Sequence, residues 1–249
     1  MTKLDYDKDF FRTQLVFAHK VAEVTGDPFN EVIIDHTQLR NIYGLRVSRT
    51  DPSDPLWQEF MRGLASCSNL DEETEWAYTF YHANFDPARY MANDRRYWGC
   101  FTYAYPFRDR PAVRLHFKHR EPSGYGVLSR TRMHVRIAEL TDMFRHIKAH
   151  LPEVETVVGG SWLYNIDAYR RLFPTRFLET ARTQPSEPGF WATWGQFLRG
   201  NGQLDEEKAE SFLNCLEQQT TLDGCLCCFP LAILRLESPI SVFYKYYGI

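Results

Sequence analysis

The stretch that most constrains the fold is residues 113–178, where strand-like and helix-like patterns alternate around a glycine-bearing loop. Residues 113–119 alternate apolar and polar side chains, which is typical of a half-buried strand. Residues 129–150 repeat apolar side chains at steps of three and four, which predicts a long amphipathic helix. An apolar segment at 155–163 predicts the next strand. This order places a glycine loop at the start of a helix, where main-chain N–H groups can face an anion.

Patterns in the rest of the chain add further helices and strands. Helical spacing, turn formers or an acidic first turn predict helices at 7–25, 36–43, 55–66, 165–173 and 190–199, and from Asp205 onward. Alternating or apolar segments predict strands at 75–82, 97–107, 112–119, 176–180, 226–236 and 240–247. The turn at 108–111 predicts an antiparallel hairpin between two of these strands. The mixture predicts an α+β fold with a mixed, mainly antiparallel central sheet flanked by helices.

The length of 249 residues fits a single domain with one dominant core. We expect residues 1–70 to form a helical N-terminal layer and residues 71–180 to form the sheet and helix core. Residues 181–249 would add a helix and the strands that complete the sheet. No apolar run is long enough to span a bilayer, and the acidic start has no targeting signal, so we predict a cytoplasmic protein with no membrane partner.

Composition narrows the function classes further. The net charge of −3 is unlike the basic excess of a dedicated nucleic-acid binder, so nucleic acid is not an expected partner. Because no secretion signal is present, the cysteines are expected to be reduced. The group at 225–228 lacks a second cysteine pair, so we predict buried thiols and no metal site. The six cysteines are Cys67, Cys100, Cys215, Cys225, Cys227 and Cys228.

The loop ahead of the 129–150 helix is the best candidate binding site. Two glycines allow a ligand to approach the backbone closely, and Arg120 and Arg130 add positive charge on either side. The predicted binding residues are Arg120, Gly124, Tyr125, Gly126, Val127, Leu128 and Ser129. The alternative is a strand-to-helix turn in which the glycines serve only the backbone conformation.

The same loop and the segment that follows it resemble a known family. Arg120, Gly124 and Gly126, then a long helix, a strand and the sequence Asn165-x-x-Ala168, resemble the core of the GNAT acyltransferase superfamily. This resemblance implies a GNAT-like core. It also implies that the loop cradles the pyrophosphate of acyl-CoA, or of a CoA-like thioester, and that the cofactor requires no metal.

The resemblance also suggests roles for residues after the second strand. Asn165 would belong to the segment beside the acyl thioester, although it equally suits a helix cap. Leu172 occupies the position of the family's general-acid tyrosine, so Tyr169 is the candidate proton donor. A pocket floor of hydroxyl, amide and aromatic groups would bind the small-molecule substrate. The residues predicted to bind it are Ser161, Trp162, Tyr164 and Trp194.

Two residues near the loop are candidates for a general base. His116 lies on the polar face of its predicted strand, and its ordinary pKa is near neutral pH. Glu121 lies within the loop itself. The alternative for His116 is a histidine that hydrogen-bonds at the surface or between strands.

These observations favour an acyltransferase that moves an acyl group from a thioester to an amine or hydroxyl of a small molecule. A second hypothesis is a non-catalytic binding protein that forms a homodimer through its aromatic C-terminal segment, 237–249. That segment could instead pair within the sheet. A third is an enzyme of another chemistry, with its pocket near 161–169 and 191–197.

Overall fold

The computed structural model describes residues 6–45, 47–86, 96–119, 126–183, 191–199 and 202–249. Within these ranges the chain is α+β, and its contacts divide it into two compact units. Unit 1 consists of Met1–Asn93 and Ser186–Pro230, and unit 2 consists of Asp94–Pro185 and Leu231–Ile249. Each unit has a hydrophobic core of its own. The single-domain division expected from the sequence stays a prediction.

The described helices are α1 (Lys8–Thr25), α2 (Phe29–His36), α3 (Leu39–Ile42), α4 (Pro55–Ala65), α5 (Leu70–Asn84), α6 (Met133–His150), α7 (Asp167–Arg170), α8 (Thr175–Leu178), α9 (Glu206–Glu217), α10 (Leu222–Cys227) and α11 (Ile240–Tyr247). The described strands are β1 (Phe101–Ala104), β2 (Ala112–Phe117), β3 (Thr156–Ser161), β4 (Arg182–Thr183) and β5 (Leu234–Pro239). Short 3-10 segments cover Arg130–Arg132, Trp162–Asn165 and Trp191–Phe197.

Unit 1 is helical, and local signals in the sequence explain its helix boundaries. Helix α1 ends at Gly26, which adopts a φ of 74° and donates its N–H to Ala22 at 2.9 Å. Helix α4 begins after Asp54, whose carboxylate accepts the N–H of Leu56 at 2.8 Å. Both helices were predicted, because the apolar spacing and the punctuating residues agree at each end. An aromatic cluster fills part of the core and consists of Phe17, Trp194, Phe197, Phe212 and Phe229.

The predicted strand at 75–82 is wrong, because these residues belong to helix α5. Asn69 caps this helix by accepting the N–H of Glu72 at 3.0 Å, and acidic residues fill the first turn. Trp76 and Phe80, four residues apart, lie on one side of the helix. The indole of Trp76 donates to the Phe60 carbonyl at 2.9 Å, which ties α5 to α4. The aromatic content that suggested a strand serves helix packing instead.

Unit 2 is built on a mixed sheet with the strand order β1-β2-β3-β5-β4. The β1–β2 hairpin is antiparallel, as the sequence predicts, and β2 is parallel to β3. Strand β5 enters between β3 and β4 and is antiparallel to both. The sheet is therefore mixed, and three of the four pairings are antiparallel. Helix α6 provides the long connection that two neighbouring parallel strands require.

Three predicted strands near the chain's end need correction. Residues 176–178 of the predicted strand 176–180 belong to the short helix α8 after Pro174, and residues 240–247 form helix α11 after Pro239. Proline ahead of a first helical turn fixes φ without loss of a needed N–H. The segment predicted as one strand at 226–236 divides into the end of α10 and the start of β5.

The aromatic C-terminal segment packs inside unit 2. Phe243 and Tyr247 lie one helical turn apart on α11 and stack on Phe144 of α6, with ring centroids 4.8 and 5.3 Å apart. Both side chains are buried. Residues 237–239 of this segment end strand β5 and pair with β3, whereas residues 240–247 form helix α11 and do not pair as a strand. Most of the aromatic residues that suggested a dimer contact contribute to the core, but Tyr246 is 46% exposed.

The cysteines are not all reduced. Cys215 of α9 and Cys228 after α10 form a disulfide, so the expectation of free thiols is wrong for this pair. Cys67, Cys100, Cys225 and Cys227 are free. Of the group at 225–228, Cys225 is a buried thiol as predicted, whereas Cys227 is exposed, so the prediction is wrong for that residue.

Candidate functional site

The sheet of unit 2 has an incomplete ladder at its centre. Strands β2 and β3 share three register pairs, and the ladder ends at Arg114 and Val158. Each strand nevertheless continues for three more residues, 115–117 in β2 and 159–161 in β3. These residues pair on their outer sides, with β1 and β5 respectively. The carboxyl-terminal halves of two parallel neighbours are thus held from outside but are not joined to each other by the ladder.

Two successive glycines occupy the unjoined half of β3, and the structure accounts for only one of them. A Cβ on Gly159 would lie 2.5 Å from the hydroxyl oxygen of Tyr164, so packing requires glycine there. Within the described part of the chain, a Cβ on Gly160 would meet nothing closer than a guanidinium nitrogen of Arg114 at 3.5 Å, which is ordinary contact. Gly160 also has no positive φ. A strand glycine that neither packing nor backbone geometry requires is typical of a place where another molecule approaches.

A pair of buried tyrosines lies on the core side of the unjoined strand halves. Tyr164 contacts Gly159 of β3, and the ring of Tyr169 packs edge-on against Phe117 of β2, with centroids 5.5 Å apart. The two phenol rings are 5.0 Å apart. Burial raises the pKa of both hydroxyls, and their mutual interaction raises the pKa of Tyr164 further while it lowers that of Tyr169. Both phenols therefore stay protonated at neutral pH and can donate hydrogen bonds.

This environment changes the role expected for Tyr169. A general acid must give up its proton, and Tyr169 would then become a phenolate surrounded by Phe117, Tyr164 and Phe173. Burial disfavours that charged form. The geometry suits Tyr169 as a hydrogen-bond donor better than as a proton donor.

Two arginines and three main-chain N–H groups lie at the start of α6. The 3-10 turn ahead of the helix contains Arg130 and Arg132, and neither its first turn nor that of α6 has an acidic residue. Within the described chain, no hydrogen bond uses the N–H groups of 126–128, whereas the Ser129 N–H donates to Gly126 at 2.8 Å. The guanidinium of Arg171 donates to the Leu128 carbonyl and holds the loop in place.

The predicted loop residues are only partly described. Arg120, Glu121, Gly124 and Tyr125 lie outside the described residues. Gly126 is exposed, and among the described residues a Cβ there would meet only the Ser129 Cβ, at 4.0 Å. Val127 is buried, Leu128 packs at the edge of the unit 2 core and Ser129 is partly exposed.

The other predicted site residues divide between site and scaffold. His116 lies in the unjoined half of β2, in register with Thr102 and on the face opposite the core. Ser161 ends β3 and accepts the N–H of Leu163 at 3.1 Å, which caps the following turn. Asn165 donates to Trp162 and to Ala232, both at 2.8 Å, so it ties the turn to the chain before β5. It is not the helix cap considered as the alternative, because Ile166 is the N-cap residue of α7 and no side chain caps that helix.

The two remaining residues predicted to bind substrate belong to different units. Trp162 is partly exposed at the start of the 3-10 segment in unit 2. Trp194 belongs to unit 1, where it is fully buried and its indole donates to the His36 carbonyl at 2.8 Å. Its contacts are those of a core residue.

Sequence reasoning missed two arginines beside Gly160. Arg235 of β5 pairs directly with Gly160, and Arg182 of β4 pairs with Arg235. The sequence predicts Arg235 in the strand 226–236 and Arg182 at the start of a linker, and no pattern in the sequence indicates that either lies near Gly160. The available signal was the pair of glycines inside a predicted strand.

In the parts of the chain that are described, no three histidine, cysteine or acidic side chains come together to hold a metal ion. Over the same ranges no helix combines the length and apolar character needed to cross a membrane. Comparisons with protein-family models, characterised proteins and solved structures gave no match.

Proposed function

We propose that this chain transfers an acyl group from acyl-CoA, or a CoA-like thioester, to an amine or hydroxyl of a small molecule. The observation that supports this most is the ladder between β2 and β3, which stops at Arg114 and Val158 while both strands continue. Ligands of open sheets with parallel strands bind beyond the carboxyl ends of those strands. The unjoined halves lie at that end.

An extended ligand with amide groups suits two facing strand edges. Main-chain N–H and C=O groups along a strand bind such a ligand as if it were an additional strand. The pantetheine arm of CoA is a narrow, extended chain with two amides. In the proposed complex it lies between 115–117 and 159–161, and its thioester reaches the level of Gly160.

The phosphate end of the ligand would lie at the start of α6. The N–H groups of 126–128 are available in the described chain, and the helix dipole favours negative charge at this end. Arg130 and Arg132 add positive charge to the same turn. In the proposed complex the pantetheine arm follows the unjoined halves of β2 and β3, and the pyrophosphate lies at the N–H groups of 126–128.

The reaction needs a base, an attacked carbonyl and a leaving thiolate. The acceptor's nitrogen or oxygen attacks the thioester carbonyl, a C–N or C–O bond forms, and the C–S bond breaks. His116 takes the acceptor's proton, because it lies in the unjoined half of β2. The buried hydroxyls of Tyr164 and Tyr169 donate hydrogen bonds toward the departing sulfur. Glu121, the other base expected from the sequence, stays a prediction.

A thermal-shift titration with CoA and acetyl-CoA tests the proposal. Binding at about 100 times Kd stabilises a protein by about 2.7 kcal/mol, so the Tm should rise by several degrees. Adenosine 3′,5′-bisphosphate, which lacks the pantetheine arm, should raise the Tm much less. No rise with either CoA species would overturn the proposal.

Gly126→Leu provides a matched variant for the same titration. A side chain there meets little in the fold, so the variant should unfold like the parent while it loses the CoA-dependent shift. Thiol release from acetyl-CoA with a panel of small amines then measures turnover, and His116→Gln should lower kcat more than it changes KM. An unchanged kcat in this variant would exclude His116 as the base.

A further inference from the structure

The face of the sheet around Gly160 carries an unusual concentration of arginine. Directly paired residues on neighbouring strands point to the same face, so Gly160, Arg235 and Arg182 form one row across three strands. Arg114 of β2 reaches the same face, and its guanidinium is the nearest group to the position of a Gly160 Cβ. The space over Gly160 is therefore bordered by arginines on both sides.

Two of these arginines oppose each other without compensation. Arg182 and Arg235 are direct cross-strand partners, and like charges in this position are destabilising. Neither forms an ion pair with a described residue. Glu237, two residues further along β5, does not neutralise them because it pairs with Arg110. A bound anion would remove the repulsion and satisfy both guanidinium groups.

Gly160 is the second, independent observation. Its backbone conformation is open to any residue, and an alanine would fit against the protein at an ordinary distance from Arg114. Because Gly160 has no side chain, nothing projects from this position between Arg114 and Arg235. An oxyanion approaching this surface could accept forked hydrogen bonds from guanidinium groups, which bind carboxylate and phosphate in this way.

We propose that Arg235, with Arg182 and Arg114, forms a subsite over Gly160 for an oxyanion group of the acyl acceptor. The acceptor is thus an amine or alcohol that also carries a carboxylate or a phosphate. Its assignment as the acceptor rests on the proposed acyl transfer, because Gly160 lies in the unjoined half of β3 where the thioester would end. The anion site itself rests only on the sheet register and the charges.

Titration with two anions on the intact chain tests the subsite. Succinate and inorganic phosphate, each compared with sodium chloride at equal ionic strength, should raise the Tm of the parent, and the stronger of the two identifies the oxyanion. Arg235→Gln should lower the affinity for whichever anion raises the Tm by roughly tenfold or more, since charge-assisted hydrogen bonds are lost. Arg145→Gln, an exposed arginine of α6 paired with Asp142, is the matched control and should leave the shift unchanged.

Gly160→Ala and the CoA titration separate this inference from the acyl-transfer proposal. The alanine fills the space over the sheet without a clash, so it should weaken the anion shift in a chain that remains folded. An anion shift that is absent, or that survives unchanged in Arg235→Gln, overturns the subsite even when CoA binds. Loss of the shift in Arg235→Gln supports the subsite even when CoA does not bind, and in that case the acyl-transfer proposal fails alone.

Discussion

Adjacent glycines in β3 offer a direct test of the site, because replacement of each by alanine should have opposite effects. A Cβ on Gly159 would lie 2.5 to 2.8 Å from three atoms of Tyr164. That ring is buried among Tyr169, Phe173 and Phe177, so it has little room to move. Overpacking of this kind costs about 1–3 kcal/mol.

Gly160→Ala should leave stability equal or slightly higher. The nearest atom to the new methyl group is a guanidinium nitrogen of Arg114 at 3.5 Å, and the backbone conformation suits alanine. Alanine in place of a strand glycine stabilises by about 0.5–1 kcal/mol, because the unfolded chain loses conformational freedom. The free energies of unfolding of the two variants should therefore differ by about 1.5–4 kcal/mol.

Urea unfolding of the parent and both single variants measures this difference. Far-ultraviolet circular dichroism before unfolding confirms that each variant keeps its secondary structure. Equal stabilities of the two variants would refute the argument, since they would show that Tyr164 does not occupy the space beside Gly159. A strongly destabilised Gly160→Ala would show that the protein itself fills the space assigned here to a ligand.

Three further predictions follow from the described contacts. Gly99→Ala should lower the free energy of unfolding, measured by urea unfolding, by about 1–3 kcal/mol, because Gly99 has a φ of 56° and a Cβ would overlap the Glu139 carboxylate. The free energy of unfolding should fall as the pH rises above about 10, because tyrosines ionise there in the unfolded chain while Tyr164 and Tyr169 keep their protons in the folded chain. The double variant Tyr164→Phe, Tyr169→Phe should show a weaker pH dependence when unfolding is measured at a series of pH values. Cys215→Ser should lose about 3 kcal/mol with the disulfide, and its unfolding curve should no longer respond to reductant.

The sequence predicted elements wherever local signals agreed with each other. Helices α1, α4 and α6 were predicted because apolar periodicity and terminal residues specify the same boundaries. Helix α5 was missed because aromatic and β-branched residues dominate 75–82, and the Asn69 cap was not weighed against them. Helix α11 was missed for the same reason, since its aromatic side chains also suit a strand. Propensity is a weak guide where tertiary packing decides the outcome.

The candidate site was only partly accessible to sequence reasoning. The start of α6 is a local feature and was predicted, whereas most of the glycine loop lies outside the described residues and stays a prediction. The arginine row depends on β5, which inserts between β3 and β4 although about 50 residues separate β4 from β5 along the chain. Register over that distance is set by packing, and no spacing within one strand reports it. The sequence shows Gly160 inside a predicted strand, but it does not show that Arg114 and Arg235 lie beside it.

The topology itself explains why the ladder stops where it does. β2 is paired with β1 along the unjoined half, and β3 is paired with β5 along all six of its residues. Adjacent strands of a sheet are rotated by about 20–25° relative to each other, so two strands that pair at one end diverge toward the other end where no ladder holds them. With α6 joining the end of β2 to the start of β3, the two strands meet only in their first halves. The strand order therefore allows the ladder to end there, and Gly160 lies in the half of β3 that the ladder leaves unjoined.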